Sequence, residues 1–399
     1  MSRISRARRA EFQHRAAQIR QRGQRADWDV ATIAQEIACQ RRLGIKLSGS
    51  IADAEYGHST QLPDSGAAMA DNALTAVADS VQLQREIEGP GGGPATREHI
   101  QRAVDYYALN YDRYTPSTLA TEIHRCRTMV VDMLARNQLE RDRTELRRMA
   151  GWLSALLGDL AFTLSDYAGA HIHLSTGARL GIAVGEKRLA GWSLGAQSMV
   201  AFFGDHPVEA LDLARHAGEY ADSALRRAQI TAWCELRALA NLGYRDDARR
   251  AASLAQRHMD TAGRDEPGRF GFDRAELNQH LAEAFLRLGD TSAARVHADR
   301  SLGLKRPGSG GWAAATVILA RAHAAERNTA DSVALANSVL DTVPPASLRE
   351  TTRRRLRALD ADLFSERRPG PTSRDLHDRL QTLPAHLPTQ RNSPEPNGQ

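Results

Sequence analysis

Large aromatic side chains recur at an almost constant interval between residues 152 and 312. Successive members are 40, 41, 39 and 40 residues apart, and they are Trp152, Trp192, Trp233, Phe272 and Trp312. Scattered core residues do not keep such a spacing, whereas repeat proteins do. We therefore expect each ring to open the first helix of a helical hairpin and to fill the gap between neighbouring hairpins.

Each aromatic is followed by a short turn and then by a segment with alanine at helical spacing. The turns are Leu164–Tyr167, Phe203–Asp205, Leu242–Tyr244, Leu288–Asp290 and Arg327–Thr329. The alanines are Ala170, Ala210, Ala214, Ala248, Ala252, Ala294 and Ala298. Small residues let helix backbones approach closely. Because β-branched residues never gather into alternating runs, the sequence predicts an all-α fold, an α-solenoid without a sheet.

This pattern resembles the tetratricopeptide repeat over roughly residues 100–364. The residues that match the repeat pattern are Leu157-Gly158, Asp166-Tyr167 and Ala170, and again Leu288-Gly289-Asp290, Ala294 and Ala298. The interval near 40 residues is longer than the 34 of that family. The resemblance implies tetratricopeptide-like hairpins that bind a peptide or protein.

Glycine and proline divide the chain into four predicted parts. A Gly/Pro linker at residues 89–98 separates a basic helical head, residues 1–88, from the solenoid, residues 99–364. The remaining residues, 365–399, are predicted to hold a short capping helix, Asp375–Leu383, and a disordered tail.

Positive charge is concentrated at the start of the chain. Residues 1–30 hold eight arginines and three acidic residues, so they carry the whole formal net charge of +5. A basic arm ahead of a neutral body is typical of a nucleic-acid binder, because phosphate contacts need local positive charge. A solvated arginine-rich helix face, or docking onto an acidic protein, would have the same composition.

A segment of the head resembles the helix-turn-helix of lambda-repressor-like regulators, the xenobiotic-response-element (XRE) type. Gly44-Ile45 matches the turn, Ser48–Ala54 the recognition helix and Glu55-Tyr56-Gly57 the closing motif. The resemblance implies that short polar side chains read bases while flanking cations contact phosphate. The implied DNA-binding residues are Arg41, Arg42, Lys46, Ser48 and Ser50.

A helix-turn-helix head with a tetratricopeptide-like body is the layout of a group of actinobacterial transcriptional regulators. In that group the body senses a peptide or protein and usually dimerises, so a homodimer is implied. We expect a DNA-binding regulator whose concave face binds an extended or helical ligand. The alternative is a protein–protein interaction scaffold with a diverged head that does not bind DNA.

Catalytic and cofactor motifs are not found in the sequence. The three cysteines, Cys39, Cys126 and Cys234, have no CxxC spacing, and the glycine run at residues 89–94 lacks the lysine of a phosphate loop. His171 and His173 point to different faces of a helix. We expect no cofactor, no metal and no enzymatic activity, with a helical-repeat hydrolase as a distant alternative. No apolar stretch is long enough for a membrane span, so a cytoplasmic protein is expected.

Overall fold

The structure is a computed structural model that describes residues 65–364 and 370–384, with side chains from residue 73 onward. Two compact units divide the chain, Met1–Ala68 and Met69–Gln399. The predicted helix-turn-helix lies outside the described residues, so it stays a prediction. The helices of the second unit make up the described fold.

The described residues are almost entirely helical. The first helices are α1 (Ser65–Glu88), α2 (Pro94–Leu109), α3 (Pro116–Leu134), α4 (Glu140–Thr163), α5 (Tyr167–Val184), α6 (Lys187–Phe203) and α7 (Pro207–Gly218). They are followed by α8 (Ala224–Ile230), a π-helical turn (Thr231–Glu235), α9 (Leu236–Asn241), α10 (Arg245–Ala262), α11 (Arg274–Arg287), α12 (Thr291–Leu302), α13 (Gly310–Ala325), α14 (Thr329–Thr342), a 3-10 turn (Pro345–Ser347), α15 (Glu350–Phe364) and α16 (Pro371–Gln381).

Two sets of helices alternate along the chain. The inner helices are largely buried on all sides; in α6, for example, every residue from Leu189 to Phe203 is buried. A helix that is apolar all round belongs in the interior. The inner helices are α4, α6, α8 with α9, α11 and α13. The outer helices bury only one face and expose the other, and they are α5, α7, α10, α12 and α14.

This alternation confirms the predicted all-α solenoid of tetratricopeptide-like hairpins. The alanines predicted at close helix contacts are all buried, from Ala170 in α5 to Ala298 in α12. Within residues 65–364 and 370–384 there is no strand, only an isolated antiparallel bridge between Glu266 and Phe272.

Five hairpin turns share one backbone feature, a residue with positive φ directly before the N-cap residue of the second helix. These residues are Ser165 (φ 70°), Asp205 (64°), Gly243 (76°), Gly289 (77°) and Arg327 (61°). In several turns the next side chain caps the helix, as Asp166 accepts from the amide of Gly169 at 2.8 Å. The repeats are therefore equivalent at the level of backbone geometry.

The prediction that each periodic aromatic opens a helix is wrong for three of them. Phe272 lies in the connection before α11, whose N-cap residue is Asp273. Trp152 lies in the middle of α4, and Trp233 lies in the π-helical turn. Apolar residues continue N-terminal to both rings, for example Leu146 and Leu225, so their helices begin earlier. Trp192 lies near the start of α6.

The Gly/Pro run that was predicted as a linker forms the turn between α1 and α2. The Glu88 carboxylate accepts hydrogen bonds from the amide and the hydroxyl of Thr96, both at 2.7 Å. These bonds lower the pKa of Glu88 to about 2. Leu74 of α1 is buried in the same core as Ile100 of α2. The division of the chain into four parts stays a prediction, because the head is outside the described residues.

The shared turn geometry predicts opposite effects for two substitutions. A side chain at positive φ costs about 1 kcal/mol, so Arg327→Gly should raise the free energy of unfolding by up to ~1 kcal/mol. Gly289→Ala should lower it by ~1 kcal/mol, because alanine is strained at positive φ. No atom lies within 4 Å of the added carbon, so this loss comes from backbone strain and not from a clash. Urea denaturation measures both. The control is Gly218→Ala, because Gly218 has an ordinary φ. An equal loss of unfolding free energy there would show that positive φ is not the cause.

Candidate functional site

A cavity of about 300 Å³ lies among the inner helices. We call it the central cavity. Each inner helix contributes side chains from one face. The lining includes Asp159 of α4, Trp192, Met199 and Phe203 of α6, Trp233 and Arg237 of the α8–α9 helix, Glu276, Gln279 and His280 of α11, Ala314 of α13 and Arg355 of α15.

The π-helical turn aligns one wall of the central cavity. Gln229, Trp233 and Arg237 all line the cavity and are separated by four residues each. In an α-helix each such step rotates the side chain by about 40°. The wider turn at Thr231–Glu235 offsets this rotation, so the three side chains share a face. Single π-turns inside α-helices are frequent at functional sites.

The connection between α10 and α11, residues 263–273, enters the space between the inner helices. We call it the inner loop. Its Phe270 ring lies 4.3 Å from Trp152 and 4.8 Å from Trp192, centroid to centroid. Trp192 in turn lies 5.5 Å from Trp233. Three of the periodic aromatics thus share one cluster with Phe270 at its centre.

Backbone and side-chain bonds hold the inner loop in place. The amide of Arg269 donates to the carbonyl of Ala108 at 2.9 Å, and Gln229 donates to the carbonyl of Gly271 at 2.8 Å. Glu266 pairs with both Arg188 and Arg226. The loop is therefore tied to α2, α6 and α8.

A buried ion pair joins the inner loop to α4. Arg269 donates from Nε to Oδ2 of Asp159 at 2.7 Å and also from Nη2 to Oδ1, and Asp159 is only 3% exposed. The Arg269 guanidinium lies over the ring of Tyr111, 5.3 Å from its centroid. Burial alone would raise the pKa of Asp159, but Arg269 holds it below its ordinary value. A two-bond Arg–carboxylate pair of this kind fixes geometry as well as charge.

A second buried group places two guanidinium groups beside one carboxylate. Arg355 donates from Nε to Oε2 of Glu283 at 2.7 Å. Arg237 Nη2 lies 3.5 Å from the same oxygen. Despite burial, these two cations lower the pKa of Glu283 to about 2. Burial lowers the pKa of Arg237 to about 10.

Polar atoms without hydrogen-bond partners collect on one side of the central cavity. Within the described part of the chain they include Nε and Nη2 of Arg237, Nδ1 of His280 and Oε1 of Gln279. Arg237 is 3% exposed and His280 7%. Burial keeps the pKa of His280 well below its ordinary value, so its ring is neutral at pH 7. Burial raises the pKa of Glu276, on the same helix, to about 7.

Side chains of the last inner segment bridge the inner face. Arg349, just before α15, pairs with Asp112 and lies 4.7 Å from the ring of Tyr111. Arg354 donates to the hydroxyl of Tyr167 and to Asp205, each at 3.2 Å. An extended ligand along the inner helices, as the sequence predicts, would have to displace these contacts and the inner loop.

The predicted DNA-binding residues are not placed by the structure. Arg41, Arg42, Lys46, Ser48 and Ser50 lie outside the described residues. In the part that is described, no group of His, Cys, Asp and Glu could hold a metal ion. No described helix is long and apolar enough to cross a membrane. Cys126 and Cys234 are buried free thiols, and burial raises the pKa of Cys126 to about 12.

Sequence reasoning missed the inner loop and the polar cavity residues. One signal was present in the loop, where Gly268 and Gly271 flank Arg269 and Phe270. Gly271 is required there, because an added Cβ would lie 2.1 Å from the carbonyl oxygen of Glu266. Nothing in the local sequence distinguishes Arg237 from the many exposed arginines.

No protein-family model matches the chain, and no curated protein matches it. Among solved structures, the chain is similar to the crystal structure of yeast Tom70, with a TM-score of 0.40 and 12% sequence identity. The match covers 78% of this chain and 63% of the Tom70 chain, so this chain spans less than two thirds of that structure.

The buried pair between Asp159 and Arg269 predicts a large effect of breaking it. Asp159→Asn leaves the Arg269 guanidinium without its charge partner and should cost about 3–5 kcal/mol of unfolding free energy. The matched control is Asp260→Asn, because Asp260 pairs with Arg274 on the surface and is 70% exposed. That change should cost under about 1 kcal/mol. Equal losses in urea denaturation would show that the inner loop is not anchored by this pair.

Proposed function

We propose that the chain is a non-catalytic interaction protein whose helical-hairpin array binds a peptide or protein partner. Fold alone does not establish function. The observation that supports the proposal is the surface of the outer helices. Four successive outer helices each carry a large exposed apolar side chain: Ile172 (63% exposed), Val208 (63%), Leu254 (37%) and Val296 (46%).

The location of the partner follows from how the two faces differ. The inner face is crossed by the Arg349–Asp112 pair and filled by the inner loop, while the outer helices stay open along their length. A repeat array offers such a surface over several hairpins. Apolar side chains surrounded by charge are typical of weak or transient interfaces. The partner therefore contacts the outer helices, not the inner face.

Selection of displayed random 12-residue peptides on the full-length protein tests this proposal. We expect an enriched family of sequences that binds the immobilised wild type and is lost with Val208→Asp or Val296→Asp. Each change places a charge where the partner buries apolar surface, and at least a tenfold loss of affinity is expected. Calorimetric titration with the enriched peptide gives the affinities.

The control for that selection is Leu304→Asp, which changes an equally exposed side chain in the turn after α12. It should leave peptide affinity unchanged. Enriched peptides that are insensitive to both outer-helix substitutions would contradict the proposed surface, and failure to enrich any family would contradict the proposed function.

DNA-binding regulation is the second candidate function. It is favoured by the eight arginines of residues 1–30 and by the helix-turn-helix resemblance of the segment containing Gly44 and Ser48. Under this proposal, Arg41 and Arg42 contact phosphates and the partner on the hairpins acts as the signal.

Salt dependence of duplex binding tests the second candidate. Full-length protein should bind a random-sequence duplex, with an affinity that falls steeply between 50 and 200 mM salt because phosphate contacts release counterions. Arg41→Ala with Arg42→Ala should weaken binding and reduce the slope. The control is Arg249→Ala with Arg250→Ala on outer helix α10. A deletion of residues 1–60 that leaves duplex binding intact would reject this candidate.

A further inference from the structure

Arg237 is the least satisfied charged group of the described structure. A guanidinium has five N–H donors, yet its nearest contacts here are a sulfur and one distant carboxylate. Nη1 lies 3.6 Å from Sδ of Met199, and Nη2 lies 3.5 Å from Glu283, whose Oε2 already accepts from Arg355. Nε has no partner. A buried donor without an acceptor is costly, so such groups call for an explanation.

Aromatic rings hold the guanidinium in position. Its central carbon lies 4.8 Å from the centroid of the Phe202 ring and 5.4 Å from that of Phe203. These contacts restrict the orientation of the side chain, which is only 3% exposed. The donors are thus fixed in advance at the wall of the central cavity, which lowers the entropy cost of binding an acceptor there.

His280 lines the cavity together with three cations, Arg237, Lys305 and Arg355, and with Glu276 of its own helix. Glu283 pairs with both Arg237 and Arg355. His280 is itself neutral, and its Nδ1 has no partner. Gln279 adds an unpartnered amide oxygen one residue away. The unpartnered donors of Arg237 favour an anionic acceptor on this side of the cavity.

Apolar, aromatic side chains lie beside these polar groups. Trp192, Trp233 and Phe203 line the cavity next to Arg237. A volume of about 300 Å³ is at the lower end for small-molecule sites. The inner loop and the Arg349–Asp112 pair close the inner face to an extended chain. The space fits a compact molecule with one anionic end and one flat, apolar end.

We propose that the central cavity binds a small aromatic carboxylate, with the carboxylate on Arg237 beside His280 and the ring against Trp192 and Trp233. Such a ligand supplies the acceptor that Arg237 lacks. It contacts α6, α9 and α11 together. This site goes beyond the proposed protein-binding function and is separate from the outer helices.

Titration of the full-length protein with phenylacetate tests the site, with phenylacetamide as the uncharged isostere. We expect saturable binding of phenylacetate with a dissociation constant of roughly 0.1–1 mM for its ten heavy atoms, together with a change in tryptophan fluorescence. Phenylacetamide should bind at least tenfold more weakly, because a neutral amide does not replace the charge-assisted bonds to Arg237.

Two variants and one control locate the binding. Arg237→Met removes the guanidinium and should weaken phenylacetate binding at least tenfold. Ala314→Leu keeps every charge and fills the cavity, so it should also abolish binding even if Arg237→Met were to disturb folding. Arg250→Met changes an arginine that is 70% exposed on α10 and should have no effect.

Three outcomes would overturn the proposal: no saturable phenylacetate binding, equal binding of phenylacetamide, or binding that survives Ala314→Leu. A further arm compares the peptide Ala-Ala-Phe as free acid and as C-terminal amide. Tighter binding of the free acid peptide than of phenylacetate would assign the cavity to a peptide terminus and reject the small-molecule assignment. None of these results depends on the display selection, so failure of one proposal does not decide the other.

Discussion

Paired burial of charge is the constraint on which the inner face depends. Bringing an ion out of water costs several kcal/mol unless a partner and hydrogen bonds replace the solvent. Here the partners come from distant parts of the chain, since Asp159 and Arg269 are 110 residues apart and Glu283 and Arg355 are 72 apart. Neighbouring hairpins are held by apolar packing, and these pairs add contacts between segments that are far apart in sequence. The buried pairs therefore fix how the inner helices lie relative to one another.

The inner loop is the feature that distinguishes the middle of this array from a regular repeat. Ordinary hairpin connections are short turns with one residue at positive φ, such as Gly289. Residues 263–273 instead form a longer connection that places Phe270 between Trp152 and Trp192 and Arg269 against Asp159. The periodic rings alone would fill the gaps between neighbouring hairpins. With the loop among them, they also form a wall of the central cavity.

The repeat pattern was readable from the sequence because it depends on local spacing. Alanines such as Ala210 and Ala214 fall on one face of a helix, and their burial follows from that periodicity. The ion pairs were not readable, since Arg237 and Arg250 look alike in sequence and differ only in what surrounds them after folding. The π-helical turn was equally hidden, because its extra residue changes the phase of the helix without changing its composition. The functional interpretation divides in the same way. The sequence predicted the hairpin array, but it did not predict the central cavity.

The energetics of the central cavity favour a binding role over a structural one. A purely structural interior would gain from replacing Arg237 by an apolar side chain, because Glu283 would keep Arg355 and an unmatched buried cation would be removed. An unsatisfied buried donor typically costs about 1–3 kcal/mol, which is a large share of the stability of a folded domain. Violations of this kind are expected where a protein keeps a group ready for a ligand. The same reasoning applies to the cavity itself, since an unfilled space among otherwise close-packed inner helices adds to the cost. Both costs are reversed by one event, the entry of an anion with an apolar body.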